Sequence, residues 1–350
     1  MKRIAWVDIA KYICIMAVML EHLESITDEL SVFFSPFFVL CFFVVAGYTH
    51  KPGQDFKSFF MKKVRTLFVP WLIFSVLDIT VSQLVSFSAH DSFLSELGWN
   101  FLQIRSHGDQ IWFVAALFIT FIPFYFFIEW YNSGLKPASS RRTAIFVLIA
   151  LLLFTVDIAY SNLMDPSLLP WETTALPWHL EYIFQAMFYM TLGYMFRQRW
   201  EAGFDRHSTP LLRLGILLLY LFIVYLPYFA DVPNALFSIS AIFITPLIGI
   251  LLVIAYSKVI PLNRYMLYVG QNTLIYFALH GKAFSFIQVL LSRYAAGSYS
   301  AILSNAITSN LFAVAFTFLL SFILLIPAYI INRWFPFIVG RKKTPAAVGA

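Results

Sequence analysis

Charge is scarce in this chain. Asp, Glu, Lys and Arg make up 12% of its 350 residues, about half of the roughly 25% carried by soluble domains. So thin a polar coat excludes a secreted enzyme, a disordered scaffold and a collagen-like fibre. Cysteine is scarcer still. Cys14 and Cys41 are the only two and both lie in apolar runs, which excludes a disulfide framework and a cysteine-based zinc site. Linkers, low-complexity tracts and a second soluble domain are lacking, and no internal repeat stands out, which argues against transporters built from duplicated halves. The first apolar run contains Asp8 and Lys11 and lacks a small-residue cleavage site, so no cleavable signal peptide is expected.

What fills the chain is apolar. Residues of the AVILMFWYC set reach 60% and the mean hydropathy is +0.78. Hydrophobic runs of about 17 to 25 residues recur from end to end, each long enough to cross a ~30 Å hydrocarbon core. Backbone groups in lipid must be satisfied within their own segment, so each run is read as a helix. Spans are predicted over 4–22, 30–49, 66–88, 110–130, 143–160, 178–197, 211–229, 235–257, 266–288 and 307–332. The fold class expected is therefore all-α, a polytopic membrane bundle of about ten helices. One transmembrane domain covers 1–335, and 336–350 forms a short basic cytoplasmic tail.

Positive charge orients the bundle. With the N-terminus inside, 20 of the 24 Lys and Arg fall on the inner side and only Arg105, Lys282 and Arg293 outside. Both termini are then cytoplasmic. The net charge of +6 follows from this bias, so no nucleic-acid partner is expected; the bilayer itself is the partner. Trp71, Trp99, Trp130, Tyr131, Trp171 and Trp334 stand at span ends and are read as an aromatic belt.

Ionisable residues inside spans are the informative ones, because a buried charge there costs about 2.5–3.5 kcal/mol even on lenient scales. Asp8 and Lys11 are three apart and can pair on one helical face. His22 follows Lys11 by eleven residues, on the same face and ~16 Å further along the axis. Asp8, Lys11, Ile15, Val18 and His22 thus form one stripe. His22, Asp109, His179, Glu181 and His280 are expected at one depth near the outer side, where histidine can move protons near neutral pH. Three histidines on three helices have no local ligand spacing, and no metal is expected. Asp78 and Asp157 are expected to find partners inside the bundle. At the inner side Lys51, Lys57, Lys62, Lys63 and Arg65 cluster within fifteen residues. They form either a solvated positive loop or a phosphate-binding site.

These residues occur in an order that resembles the integral-membrane acyltransferase-3 family, which O-acylates sugars of bacterial surface glycans. The opening Arg-Ile-Ala-Trp-Val-Asp-Ile-Ala-Lys, followed by ten residues and His22, is similar to that family's first helix. Phe42 to Tyr48 resembles its apolar run ending in Ser-Gly-Tyr, and Lys62-Lys63-Val64-Arg65 with Pro70 its basic pair before a proline-containing span. Ile111-Trp112-Phe113 resembles its Leu-Trp-Phe, and Gly270-Gln271-Asn272-Thr273 through His280 its Gly-Lys-Asn-Ser-to-His segment. The likeness runs from about residue 3 to 330, closest in the first helix to the fucose 4-O-acetylase-like branch. Lys11 stands where that family has Arg and Ala46 where it has Ser, so a guanidinium fork and a hydroxyl are missing here.

The resemblance implies an acetyl-CoA-dependent O-acetyltransferase of a bacterial cytoplasmic membrane, acting on a glycan or lipid-linked sugar. It implies Lys62, Lys63 and Arg65 for the CoA phosphates and Lys11 with Asp8 for the thioester arm. His22 is implied as general base or, alternatively, as a nucleophile that carries the acetyl transiently, with Trp112, His179 and His280 toward the acceptor. An acyl group larger than acetyl, such as succinyl, is equally compatible. The rival reading is a proton-coupled transporter or flippase, with Asp8, Lys11, Asp78 and His22 as a proton relay.

Overall fold

Proline, paired charges and small residues divide the apolar runs into helices. The computed structural model describes residues 4–85, 92–105, 111–133, 139–230 and 240–341, and no β-strand occurs among them. Among the described residues seven helical stretches are long and apolar enough to cross a membrane. They are Asp28–Thr49, Phe56–Leu84, Trp112–Asn132, Ser140–Leu163, Pro210–Phe229, Thr273–Tyr294 and Ala306–Trp334. The described residues of the other three predicted spans hold shorter helices, at Ala5–Glu21, Ile183–Met195 and Thr245–Ser257. The chain is a helical membrane protein.

In chain order the α-helices are α1 (Ala5–Glu21), α2 (Asp28–Phe34), α3 (Phe38–Thr49), α4 (Phe56–Lys63), α5 (Val69–Val85) and α6 (Phe93–Leu102). Then come α7 (Trp112–Asn132), α8 (Ser140–Leu163), α9 (Ile183–Met195), α10 (Glu201–His207), α11 (Pro210–Phe229) and α12 (Thr245–Ser257). The last five are α13 (Arg264–Gln271), α14 (Thr273–Tyr294), α15 (Ala296–Leu303), α16 (Ala306–Ile323) and α17 (Leu325–Trp334). Two π-turns have a visible cause. Pro70 and Pro246 follow the wide turns Val64–Phe68 and Ser240–Ile244 by two residues. A proline lacks the N–H that would bond the carbonyl four residues back, at Thr66 and Ile242, so the helix widens there.

Two compact units emerge. The first holds Met1–Val45 and Met195–Ala328, the second Ala46–Tyr194 and Tyr329–Ala350. In the first unit α1 is the central element, packed against α12, α13, α14 and α16. Almost all of it from Val7 to Leu20 is buried, and small side chains set the approach. Ala10, Cys14 and Ala17 are buried on it, as expected where close contact rather than water release holds helices together. Gly270 on α13 meets α1 most tightly, since a Cβ there would collide with the carbonyl oxygen of Asp8. In the second unit α7 packs on α4, α8 and the 3-10 turn Pro177–Tyr182. Gly47 plays the same part there, backed against the carbonyl of Met190.

Two sequence expectations are corrected. The sixth span does not begin as a helix at 178, because Trp178 and His179 are left-handed, and α9 starts only at Ile183. Trp71 and Tyr131 do not belong to an interfacial belt: both are buried, Trp71 against Phe68 and Trp178, Tyr131 against Phe146 and Tyr194. Trp130 and Trp334 are exposed, as a belt requires. Lys62 and Lys63 lie on the last turn of α4, and Arg65 on the π-turn that continues it into α5. Residues 336–339 of the expected tail form a short turn against α5, and 342–350 lie outside the described residues.

Candidate active site

His22 closes α1 as its C-cap and is exposed, while the helix behind it is locked in place. Leu20 and Leu23 pack on Ala313 and Phe316 of α16, and Ser309 donates to the Ser25 carbonyl at 2.6 Å. The His22 ring meets His280 edge to face, centroids 4.8 Å apart and planes at 81°. Nδ1 of His22 lies 2.7 Å from the Val18 carbonyl oxygen. A carbonyl can only accept, so Nδ1 carries the proton and Nε2 of the neutral ring keeps its lone pair. His280 is locked the same way. Its Nδ1 donates to the carbonyls of Phe277 at 2.9 Å and Tyr276 at 3.2 Å. Its buried Nε2 has no hydrogen-bond partner among the described residues.

The carboxylate nearest in sequence is Glu21. Ser31 donates to its Oε1 at 2.5 Å, and its buried Oε2 has no hydrogen-bond partner among the described residues. Gln288 on α14 donates to Glu24. The end of α1 therefore presents two imidazoles with a common tautomer beside fixed carboxylates.

One end of the stripe is an ion pair. Lys11 Nζ lies 2.8 Å from Asp8 Oδ1, and Gln271 donates to Asp8 Oδ2 at 3.1 Å. Gly270 permits this contact by letting the α13 backbone reach Asp8. Asp8 is buried and Lys11 partly so, and buried ions persist when paired and hydrogen-bonded. Between the pair and His22 the stripe is apolar: Ile15 and Val18 are buried. At 1.5 Å per residue, Lys11 and His22 stay ~16 Å apart, so the structure does not bring them together.

The remaining predicted residues belong to the second unit. Trp112 and His179 meet with ring centroids 5.5 Å apart, and Trp112 also faces Tyr182 at 5.2 Å. His179 Nδ1 is 3.5 Å from Glu181 Oε1, and Glu181 Oε2 accepts the Leu176 N–H at 2.8 Å. Both nitrogens of buried His179 lack a hydrogen-bond partner among the described residues. Trp178 (φ 59°) and His179 (φ 54°) are successive left-handed residues without glycine. Such backbone costs of order 1–3 kcal/mol per residue and gathers at ligand sites. Asp109 lies outside the described residues.

Lys62 and Arg65 are exposed. Lys63 turns instead into an aromatic nest, its Nζ 3.1 Å from the centroid of the Phe121 ring. Beside it His50, which sequence reasoning did not single out, is buried edge-on against Phe59 and Phe124. Nothing near His50 in sequence hints at this environment. Burial, and then the charges of Lys63 and Lys62, hold its pKa down to about 4.

The unfolded chain, with an ordinary histidine near 6.5, then binds a proton that the folded one refuses. Stability on this account is full above about pH 6.5 and declines as pH falls toward 4. His50→Phe should flatten that decline. Melting temperatures between pH 7.5 and 4.5 check it, and equal slopes for the two proteins would show His50 to be uninvolved.

Among the described residues no group of three or more His, Cys, Asp or Glu side chains could hold a metal ion. Asp157, expected to find a partner, is buried on α8 and shares a cavity with a second carboxylate, Glu181.

A family model described as an acyltransferase domain matches residues 4–326. Comparison with curated proteins and with solved structures finds no match. The match takes in His22 with its locked tautomer, the Asp8–Lys11–Gln271 contact and both glycines at close backbone crossings. The chain belongs to the acyltransferase-3 family of membrane acyltransferases.

Proposed function

We propose that the protein transfers an acetyl group from cytosolic acetyl-CoA to a hydroxyl of a cell-envelope sugar or polysaccharide. It would do so in a bacterial cytoplasmic membrane, with ten spans and both termini on the cytoplasmic side. The charge split along the sequence supports that orientation. The observation that carries the reaction is the orientation of His22. Its Nδ1 proton is committed to the Val18 carbonyl, so an exposed Nε2 is available to accept a proton.

The acceptor hydroxyl gives its proton to His22 Nε2 as its oxygen attacks the thioester carbonyl carbon. The carbon–sulfur bond breaks, CoA leaves as the thiolate, and the proton on His22 passes to the sulfur. His280 supports the His22 ring through its edge-on contact. The paired Lys11 and Asp8 orient the pantetheine arm, whose extended length suits the ~16 Å from Lys11 to His22. Lys62 and Arg65 hold the CoA phosphates; Lys63 joins them only by leaving the Phe121 ring. The family resemblance assigns Trp112 and His179 to the acceptor.

Proteoliposomes given labelled acetyl-CoA and envelope glycan fractions test this reading. The expected product is glycan carrying label in an ester that mild alkali releases. Glycan uptake without any label transfer would refute it in favour of transport.

A further inference from the structure

A cavity of about 140 Å³ lies in the second unit, between the C-terminal end of α8, the turn 177–182 and the start of α9. Arg105, Asp157, Ser161, Glu181, Tyr182 and Gln185 line it. Asp157 is 8% exposed and lines the cavity with its carboxylate. Glu181 spends Oε2 on the Leu176 N–H, while its buried Oε1 has no hydrogen-bond partner among the described residues. His179 Nδ1 stands 3.5 Å from that oxygen without hydrogen-bonding to it, and a buried carboxylate oxygen without a donor is costly, so the cavity calls for an O–H or N–H donor.

The lining narrows what could supply it. Two carboxylates repel an anion. Arg105, which donates to the Tyr182 hydroxyl at 3.0 Å, sets a positive charge in the wall and disfavours a bare cation. Gln185 offers both a donor and an acceptor. Tyr182, backed by Trp112 with centroids 5.2 Å apart, gives an aromatic wall on which a C–H face can rest. A ligand with many hydroxyls, no charge and one apolar face satisfies all of these. The volume admits one ring of that kind.

The geometry points to a subsite for a single neutral sugar ring, whose hydroxyls donate to Asp157 and Glu181 and whose C–H face rests on Tyr182. The subsite deepens the proposed function and rests on its sugar acceptor. The left-handed Trp178 and His179 turn Glu181 and Tyr182 toward it, with Trp178 anchored on Phe68 and Trp71. Tyr160 takes no part through its hydroxyl, which is committed to the Thr174 carbonyl at 2.9 Å.

Binding without any acyl donor tests the subsite. Full-length protein in nanodiscs is titrated with neutral hexoses, 6-deoxyhexoses and N-acetylhexosamines, followed by saturation-transfer NMR and calorimetry. At least one sugar should bind saturably. Asp157→Leu removes the acceptor, and Ser161→Leu fills the cavity from an exposed rim position where the fold is not at stake; each should weaken binding tenfold or more. Failure of every sugar to bind, binding unchanged in both variants, or a metal cation that displaces the sugars would overturn the proposal. Label transfer to glycan without free-sugar binding would unseat the subsite alone. Sugar binding lost in the variants, with no acetyl transfer by the wild type, would unseat only the reaction.

Discussion

His22→Ala is expected to lower acyl transfer by about 10²–10⁴-fold, the usual worth of a positioned general base, and to leave the protein folded. The ring sits at the exposed end of α1, so its removal forfeits one hydrogen bond to Val18 and one edge contact with His280. Neither holds α1 in place; Leu20, Leu23 and the Ser25–Ser309 bond do. Activity should therefore fall without a matching fall in melting temperature. His280→Ala should fall short of that loss, because His280 is buried and touches the His22 ring only edge-on. Transfer assays on both variants at matched folded concentration decide it. Wild-type rates in His22→Ala would remove His22 from the chemistry.

Gly270→Ala is expected to damage the fold itself. Its new Cβ would meet the Asp8 carbonyl oxygen, and two helix backbones cannot yield as a flexible side chain does. Overpacking of this kind costs typically about 1–3 kcal/mol, occasionally more. The same shift would pull Gln271 from Asp8 and disturb the Lys11 pair. The expected result is a lower melting temperature and a reduced yield of folded protein, with residual activity falling alongside. Gly281→Ala on α14 is the control, since nothing lies within 4 Å of its added Cβ. Equal stability of both variants and the wild type would mean that α1 and α13 cross more loosely than described.

Periodicity alone was enough to find the stripe on α1, because a helix repeats every 3.6 residues whatever surrounds it. Its two ends were equally legible: the Asp8–Lys11 pair is an i, i+3 contact, and the distance to His22 is simple helical rise. The partners across the fold were not. His280 as the neighbour of His22, and Gln271 as the neighbour of Asp8, lie more than 250 positions away; family likeness marked their segment without saying what it touches. Gly47 and Gly270 carried no helical signal either, since a glycine's value at a crossing depends on the opposing backbone. His50 and the aromatic nest of Lys63 stayed hidden for a related reason: a charge count cannot tell a solvated lysine from one lying over a ring. The late start of α9 was missed because its apolar run continues smoothly through the left-handed Trp178 and His179.

The central claim is that His22 drives acyl transfer from a CoA thioester to a sugar hydroxyl. Its most direct test is the release of CoA thiol by reconstituted protein, followed with a thiol reagent with and without glycan acceptor. The account predicts thiol release that requires the glycan, matches ester formation one for one, and nearly vanishes in His22→Ala. Thiol release at the wild-type rate in His22→Ala, or no glycan-dependent release by the wild type, would contradict it.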